Sequence, residues 1–233
     1  MNMKQRFQAV VFDLDGTLLD TIGDISDSMN TVLKARGFPL HSESEFKMYI
    51  GDGIEEFAER SIPAEMRSEV LIRELVREMR AIYRERWQCN TKPYPGVPEL
   101  LDWLTVQEIK LAVLSNKPHD FTNEMIRALL SRWKFNPVMG ACPEIPRKPD
   151  PAGAFKLLER VGLQGDNVLY LGDSENDMLT ANASGMHAVG VSWGFRSEAC
   201  LQEAGAEWVI GHPCDLKDII QSGTKNSFKA ADC

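Results

Sequence analysis

The sequence has no apolar run of the roughly 18 residues that a membrane span needs. It has no surplus of basic charge either. Its 26 Lys and Arg stand against 34 Asp and Glu, a net charge of −8. That argues against a nucleic-acid surface, which depends on clustered cations displacing counterions. The Arg-rich stretch from Arg67 to Arg86 alternates with Glu69, Glu74, Glu78 and Glu85 at helical spacings, so it reads as a solvated, salt-bridged helix face. Paired cysteines are lacking as well. Cys89, Cys142, Cys200, Cys214 and Cys233 are odd in number and scattered, with no CxxC and no Cys/His cluster, which disfavours both zinc and a disulfide framework. Acidic residues interrupt the apolar run at MNMKQRFQAVVFDLDGTLLD too early for a signal peptide, so the expectation is a cytoplasmic protein. No repeat, low-complexity segment or Pro/Gly-rich linker is present.

What is present is alternation. Gln8–Phe12 is a short apolar run rich in β-branched residues, the signature of a strand buried on both faces of a parallel sheet. Similar runs recur at Leu111–Leu114, Asn167–Leu171 and Ala188–Val191, with a weaker one at Glu207–Ile210. Helical patterns lie between them at Asp120–Trp133, Pro151–Val161 and Met178–Ser184. The Pro151 helix has Asp150 placed as N-cap, Pro151 as first helical residue, an apolar stripe of Ala154, Phe155, Leu157, Leu158 and Val161, and Gly162 as its stop. Such alternation predicts an α/β fold with a parallel sheet. Leu18 to Pro95 differs: Ile22, Ile25, Met29, Val32 and Leu33, and again Val70, Leu71, Leu75, Met79 and Ile82, recur with helical period. The reading is an α/β core at 1–17 and 96–233, with an α-helical cap inserted at 18–95.

Chemistry gathers at strand ends. Asp13-Leu14-Asp15-Gly16-Thr17 follows the first strand, and Gly172-Asp173-Ser174-Glu175-Asn176-Asp177 follows the Asn167–Leu171 strand. In open α/β sheets the functional crevice lies beyond the carboxyl ends of the strands. Either segment alone also reads as a turn or a helix cap. Together they imply more, because two carboxylates about 4 Å apart repel by about 4 kcal/mol at an effective dielectric near 20. Gathering them requires a cation, and oxygen ligands of this kind suit Mg²⁺. Ser115 and Asn116, ending the Leu111–Leu114 strand, can donate to a phosphate oxygen or simply make a turn. Lys148 precedes Pro149 in a segment that reads as a solvated loop charge, and it gains weight because it stands before a capped helix, between the second and fourth sites.

These four sites, in this order, resemble the motifs of the haloacid dehalogenase-like hydrolase superfamily: DxDGT the first, LSN the second, Lys148 the third and GDSENDM the fourth. The resemblance implies a Rossmann-like core with a helical cap, and a Mg²⁺-dependent phosphatase acting through an aspartyl-phosphate. It implies that Asp13 is the nucleophile and Asp15 the acid and base. Mg²⁺ would be held by the Asp13 carboxylate, the Asp15 backbone carbonyl and the Asp173 carboxylate. Gly16, Thr17, Ser115, Asn116 and Lys148 would face the substrate, while Asp177 would orient a metal-bound water or Lys148. His119 is expected to be an exposed helix-start residue.

YPGV at 94–97, SNKP at 115–118, KPDP at 148–151 and GDSENDM at 172–178 resemble the phosphoglycolate phosphatase subgroup, as does Ile50-Gly51-Asp52-Gly53 in the cap. The implied partner is a small phosphorylated metabolite, 2-phosphoglycolate first among them, and the expected assembly is a monomer or homodimer. Lys47 is the basic residue nearest the glycine-bearing loop. Hinges are expected near Leu18–Thr21 and Lys92–Gly96. The alternatives are a sugar-phosphate or pyrophosphate phosphatase, a phosphomutase of the same superfamily, and, from another class, a phosphate-sensing module without turnover.

Overall fold

The computed structural model describes residues 6–222. From about Ser222 the sequence is a polar tail, which beyond that residue lies outside the described residues. Strand β1 (Ala9–Phe12) leads to a two-residue strand β2 (Leu19–Asp20) and then to helices α1 (Ile22–Ala35), α2 (Glu43–Tyr49), α3 (Ile54–Arg60) and α4 (Glu69–Arg86). A second short strand, β3 (Lys92–Pro93), follows, then α5 (Val97–Val106), β4 (Lys110–Pro118), α6 (His119–Leu129) and β5 (Phe135–Ala141). The chain continues through α7 (Ala152–Val161), β6 (Val168–Gly172), α8 (Glu175–Ala183), β7 (His187–Val191), α9 (Glu198–Glu203), β8 (Trp208–Ile210) and α10 (Leu216–Ser222).

Six strands form one parallel sheet in the order β5-β4-β1-β6-β7-β8. The continuous apolar runs are explained by both faces being covered. Val10, Phe12, Val113 and Leu171 point to one side, among Leu100, Leu104, Met125 and Ile219. Ala9, Val11, Ala112 and Tyr170 point to the other, among Leu157, Leu158, Met178 and Ala181. With β1 in the centre, the chain ends of β1, β4 and β6 lie side by side, which brings three sequence-distant segments to one crevice.

Helices α1–α4 fall between β2 and β3, which pair antiparallel (Leu19 with Pro93, Asp20 with Lys92). The outgoing and returning chains are therefore zipped into one ribbon, with Tyr94 N–H donating to Leu18 O at 3.1 Å. Several local readings need correction. Pro151 is the N-cap rather than the first helical residue, and Asp150 Oδ1 accepts instead from Ala152 N–H at 2.8 Å. Phe155 is 52% and Val70 61% exposed, so neither belongs to the buried stripe of its helix. Helix α6 stops at Leu129, short of Trp133, while α8 begins at Glu175, before Met178. Strand β5 and helix α5 lay outside the sequence reading altogether. The bases of α4 are also not merely solvated. Arg36, which caps the C-terminus of α1, bridges Glu74 and Glu78 at 2.9 and 2.6 Å, and Arg80 and Arg84 both reach Asp120 of α6, at 2.9 and 2.7 Å.

Among the described residues no helix is long and apolar enough to cross a membrane. Cys89, Cys142, Cys200 and Cys214 are all unpaired.

Candidate active site

Asp13 follows β1, with its backbone N–H fixed on Leu171 O of β6 at 2.9 Å. Asp173 follows β6, and the carboxylates of Asp13, Asp173 and Asp177 all offer an oxygen within 4.8 Å of one another, every one buried. Gly16 makes the approach possible. Its φ of +81° suits glycine, and a Cβ there would lie 2.2 Å from Asp173 Oδ2.

Electrostatically the cluster is under load. Burial first, then the neighbouring charges of Asp177 and Asp15, push the Asp13 carboxyl up to about 6 against the pull of Lys148. Burial, Asp177 and Asp13 hold Asp173 well above the usual carboxylate range. Lys148 is the counterweight. Burial works against its charge, but Asp13 and Asp177 outweigh it and raise the ammonium well above its ordinary value. Its Nζ donates to Asp177 Oδ1 at 2.6 Å and lies 3.0 Å from Asp13 Oδ1. The second contact is an ion pair without hydrogen-bond alignment, so Asp13 Oδ1 stays buried with no hydrogen-bond donor.

The three carboxylates differ in what they have left to offer. Asp177 is saturated: Oδ1 accepts from Lys148 and Tyr170, and Oδ2 from the Ser174 N–H and hydroxyl. Asp173 accepts only one bond per oxygen, from Thr17 at 3.3 Å and from Phe195 N–H at 2.7 Å. Asp13 has an oxygen open. A hard cation therefore fits between Asp13 and Asp173, with Asp177 spent on Lys148 and the Ser174 turn.

The other expected residues are placed unequally. Ser115 is buried, lines the cleft, and accepts from Lys117 N–H at 3.3 Å, which leaves its own proton to donate. Thr17 turns its hydroxyl to Asp173 rather than to the cleft. Asn116 lines the cleft but its amide is committed: Nδ2 donates to Lys148 O at 2.9 Å and Gly51 O at 2.8 Å, while Oδ1 accepts from Lys148 N–H at 2.8 Å. It ties the Lys148 loop to the cap and has no donor left for phosphate. His119 is exposed at the start of α6, with Nδ1 accepting from Gly140 N–H at 3.1 Å. Lys47 sends only its backbone carbonyl to the site, as a partner of Arg196.

Lys117 went unremarked as a site residue, although it stands in the quoted SNKP. Its Nζ lies 3.1 Å from both Asp15 oxygens and 3.0 Å from the Tyr83 hydroxyl of α4. Its burial in a run of turn-forming residues gave no signal in sequence.

The cap closes over these groups, leaving a cleft of about 80 Å³. Of the cap residues facing it, Ile25, Ile50, Ile54, Phe57 and Met79 are apolar, Gly51 and Gly53 carry no side chain, and only Tyr83 is polar. The Ile50–Gly53 loop is gripped from the core side. Arg196 donates to Ile50 O at 2.9 Å and to Lys47 O, Asn176 to Asp52 Oδ1 at 2.7 Å, and Arg147 to Glu56 at 2.7 Å and to Glu55. Gly53, with φ of +121°, admits Arg147 where a Cβ would lie 2.3 Å from Nη1.

The model of the haloacid dehalogenase-like hydrolases matches residues 10–191, spanning both acidic strand ends. The chain belongs to the haloacid dehalogenase-like hydrolase family. It is similar to a phosphoglycolate phosphatase of Mannheimia succiniciproducens, 30% identical over 94% of this chain and 100% of that one. A phosphoglycolate phosphatase of Nitrosospira multiformis is likewise 30% identical, over 96% and 100%. Among solved structures, a predicted phosphoglycolate phosphatase from Haemophilus somnus superposes with a TM-score of 0.84 at 29% identity, covering 94% of this chain and 99% of that one.

Proposed function

We propose that this hydrolase is a Mg²⁺-dependent phosphatase that cleaves a small phosphomonoester, 2-phosphoglycolate first among candidates, with Asp13 as nucleophile. The observation that carries the reading is the buried, mutually repelling Asp13–Asp173 pair with an open oxygen on Asp13, facing a small capped cleft. Bound there, Mg²⁺ would offset the charge of the nucleophile and of the phosphoryl group, so that two anions can meet. Asp13 and Asp173, with the Asp15 backbone carbonyl, are the groups that would hold it.

The chain's own residues supply the rest. An Asp13 oxygen attacks phosphorus as the bond to the leaving oxygen breaks, and Asp15 hands its proton to that oxygen. Asp15 then takes a proton from the water that attacks the aspartyl-phosphate, releasing inorganic phosphate and restoring the Asp13 carboxylate. Lys148 and the Ser115 proton meet the phosphoryl oxygens as charge spreads over them. Both Asp15 oxygens rest on Lys117, so Asp15 exchanges that contact for the leaving oxygen.

The narrow substrate reading has two supports. The relatives named above carry it, and the cleft has room for only a handful of water-sized groups. The apolar cap wall gives a sugar phosphate few partners for its hydroxyls, which disfavours the sugar-phosphate alternative. The test is phosphate release across a panel of small phosphorylated metabolites, with Mg²⁺ or with EDTA. Release that is Mg²⁺-dependent and highest for 2-phosphoglycolate is the expected result. A low rank for 2-phosphoglycolate overturns the narrow reading alone, and undiminished release in EDTA overturns the metal.

A further inference from the structure

Tyr83 is the single polar side chain that the cap presents to the cleft, and its environment is unusual for a buried phenol. The ring is held edge-on against Phe121 of α6, centroids 5.2 Å apart. The hydroxyl accepts from Lys117 Nζ at 3.0 Å, and among the described residues its own proton has no acceptor. Burial pushes the phenol up to about 12, so it stays a donor. A buried donor of this kind that lines a cavity is completed by what enters the cavity.

Its position says which part of a substrate arrives there. Lys117 touches both Asp15 oxygens, and Asp15 is the group that meets the leaving oxygen. The Tyr83–Lys117 corner therefore lies beside the leaving group, away from the phosphoryl end. An O–H and an ammonium N–H converging from two elements form a receptor for an anion with two oxygens. Once Asp15 turns to the leaving oxygen, an N–H of Lys117 is released to that anion.

Resting on the phosphoglycolate reading, we propose that Tyr83 is the specificity-determining residue of the cap: its phenol proton, together with Lys117, receives a carboxylate carried two bonds from the bridging oxygen of the substrate. From the sequence, a substrate carboxylate would ask the cap for a cationic or N–H-rich partner, with Lys47 the nearest base to the glycine-bearing loop. The structure assigns it instead to a cap hydroxyl backed by a core cation.

The experiment compares 2-phosphoglycolate with ethyl phosphate, which has the same two carbons and no carboxylate, in the native enzyme and in Tyr83→Phe with saturating Mg²⁺. The substitution removes one oxygen and keeps the ring on Phe121, and an unchanged melting temperature certifies the fold. The loss of a hydrogen bond to a charged group predicts a fall in kcat/KM of about tenfold or more on 2-phosphoglycolate, mostly through KM. On ethyl phosphate the change stays within about twofold, since no carboxylate is there to lose the bond. Equal losses on both substrates overturn the assignment, because Tyr83 then acts only by holding Lys117 and Asp15. No loss on either overturns it too. A native enzyme with no preference for 2-phosphoglycolate over ethyl phosphate sinks the substrate reading and the assignment with it, whereas a preference that survives Tyr83→Phe sinks the assignment alone.

Discussion

Asp13 carries its charge where burial and two neighbouring acids disfavour one, and Lys148 is what holds the group together. The two residues therefore predict opposite outcomes on substitution. Asp13→Asn relieves repulsion while removing the proposed nucleophile, so kcat should fall by roughly 10⁴-fold or more with no loss of melting temperature in metal-free protein. Substantial residual turnover would mean that another group attacks phosphorus. Lys148→Met removes the cation from beside Asp13 and Asp177, leaving buried charge uncompensated, and should destabilise the metal-free protein by about 3–5 kcal/mol as well as silencing it. Urea unfolding of the two variants side by side checks the contrast, and a Lys148→Met protein as stable as the native one would show that Lys148 carries little of the load. At this scale the sequence was informative where residue type and strand end coincide: Asp13, Asp173 and Ser115 all reach one crevice, and Lys148 meets Asp13 from the loop before α7. It was uninformative where a side chain's partner is distant in the chain. Nothing local told that Thr17 would face Asp173 156 residues away, or that Asn116 would be spent on Lys148 O and Gly51 O.

At the scale of elements, the cap is fastened on two sides and joined to the core through one ribbon. The Ile50–Gly53 loop is held by Arg147, Asn176 and Arg196, and α4 is held on α6 by Arg80 and Arg84, which share the carboxylate of Asp120, with Arg84 also 3.6 Å from Glu124. Both arginines also lie over Phe121, at 5.2 and 4.7 Å. The contact is partly exposed, so it is worth on the order of 1 kcal/mol in the closed state and is screened by salt. Asp120→Ala is accordingly expected to raise KM by about twofold to fivefold at low ionic strength, and to flatten the rise of KM with added NaCl that the native enzyme shows. Steady-state kinetics across a salt series decides this, and identical salt curves would remove Asp120 from the closure. Substitutions in the β2–β3 ribbon should change kcat and KM together, because both chain crossings move as one pair there. The strands that were legible are those whose apolar residues are consecutive and buried on both faces. Strand β5 escaped because Asn136 and Pro137 break its run and it sits at the sheet edge, where one side needs no partner. The helical character of the cap was legible from period alone, but its grip on the core was not, since helical arginines look the same whether they face water or Asp120.

Over the whole molecule, the site should leave a mark on stability that is separable from catalysis. Asp13 and Asp173 keep protons in the folded, metal-free protein at pH values where the unfolded chain has released them. The folded state then binds more protons, and the contribution of these groups to stability falls as pH rises from about 4 through about 6 for Asp13. Asp52, Asp120 and Glu175 are shifted the other way and add stability as they ionise, so the raw melting curve mixes both signs. The difference between native protein and Asp13→Asn isolates the site. In EDTA the variant should gain on the native protein in melting temperature as pH climbs through that window, and hold the gain above it. Mg²⁺ should reverse the order, since an ion bound only by the folded state stabilises by mass action and needs the Asp13 carboxylate to bind. Below about pH 5 protons compete for the same oxygens, so the Mg²⁺-induced shift of the native protein should shrink there. Melting temperatures of both proteins between about pH 4 and pH 8, in EDTA and in Mg²⁺, test the whole chain of reasoning. A Mg²⁺ shift equal in native and Asp13→Asn protein would mean that the ion sits elsewhere. A pH-independent difference in EDTA would mean that the Asp13 carboxyl is not strained by its surroundings.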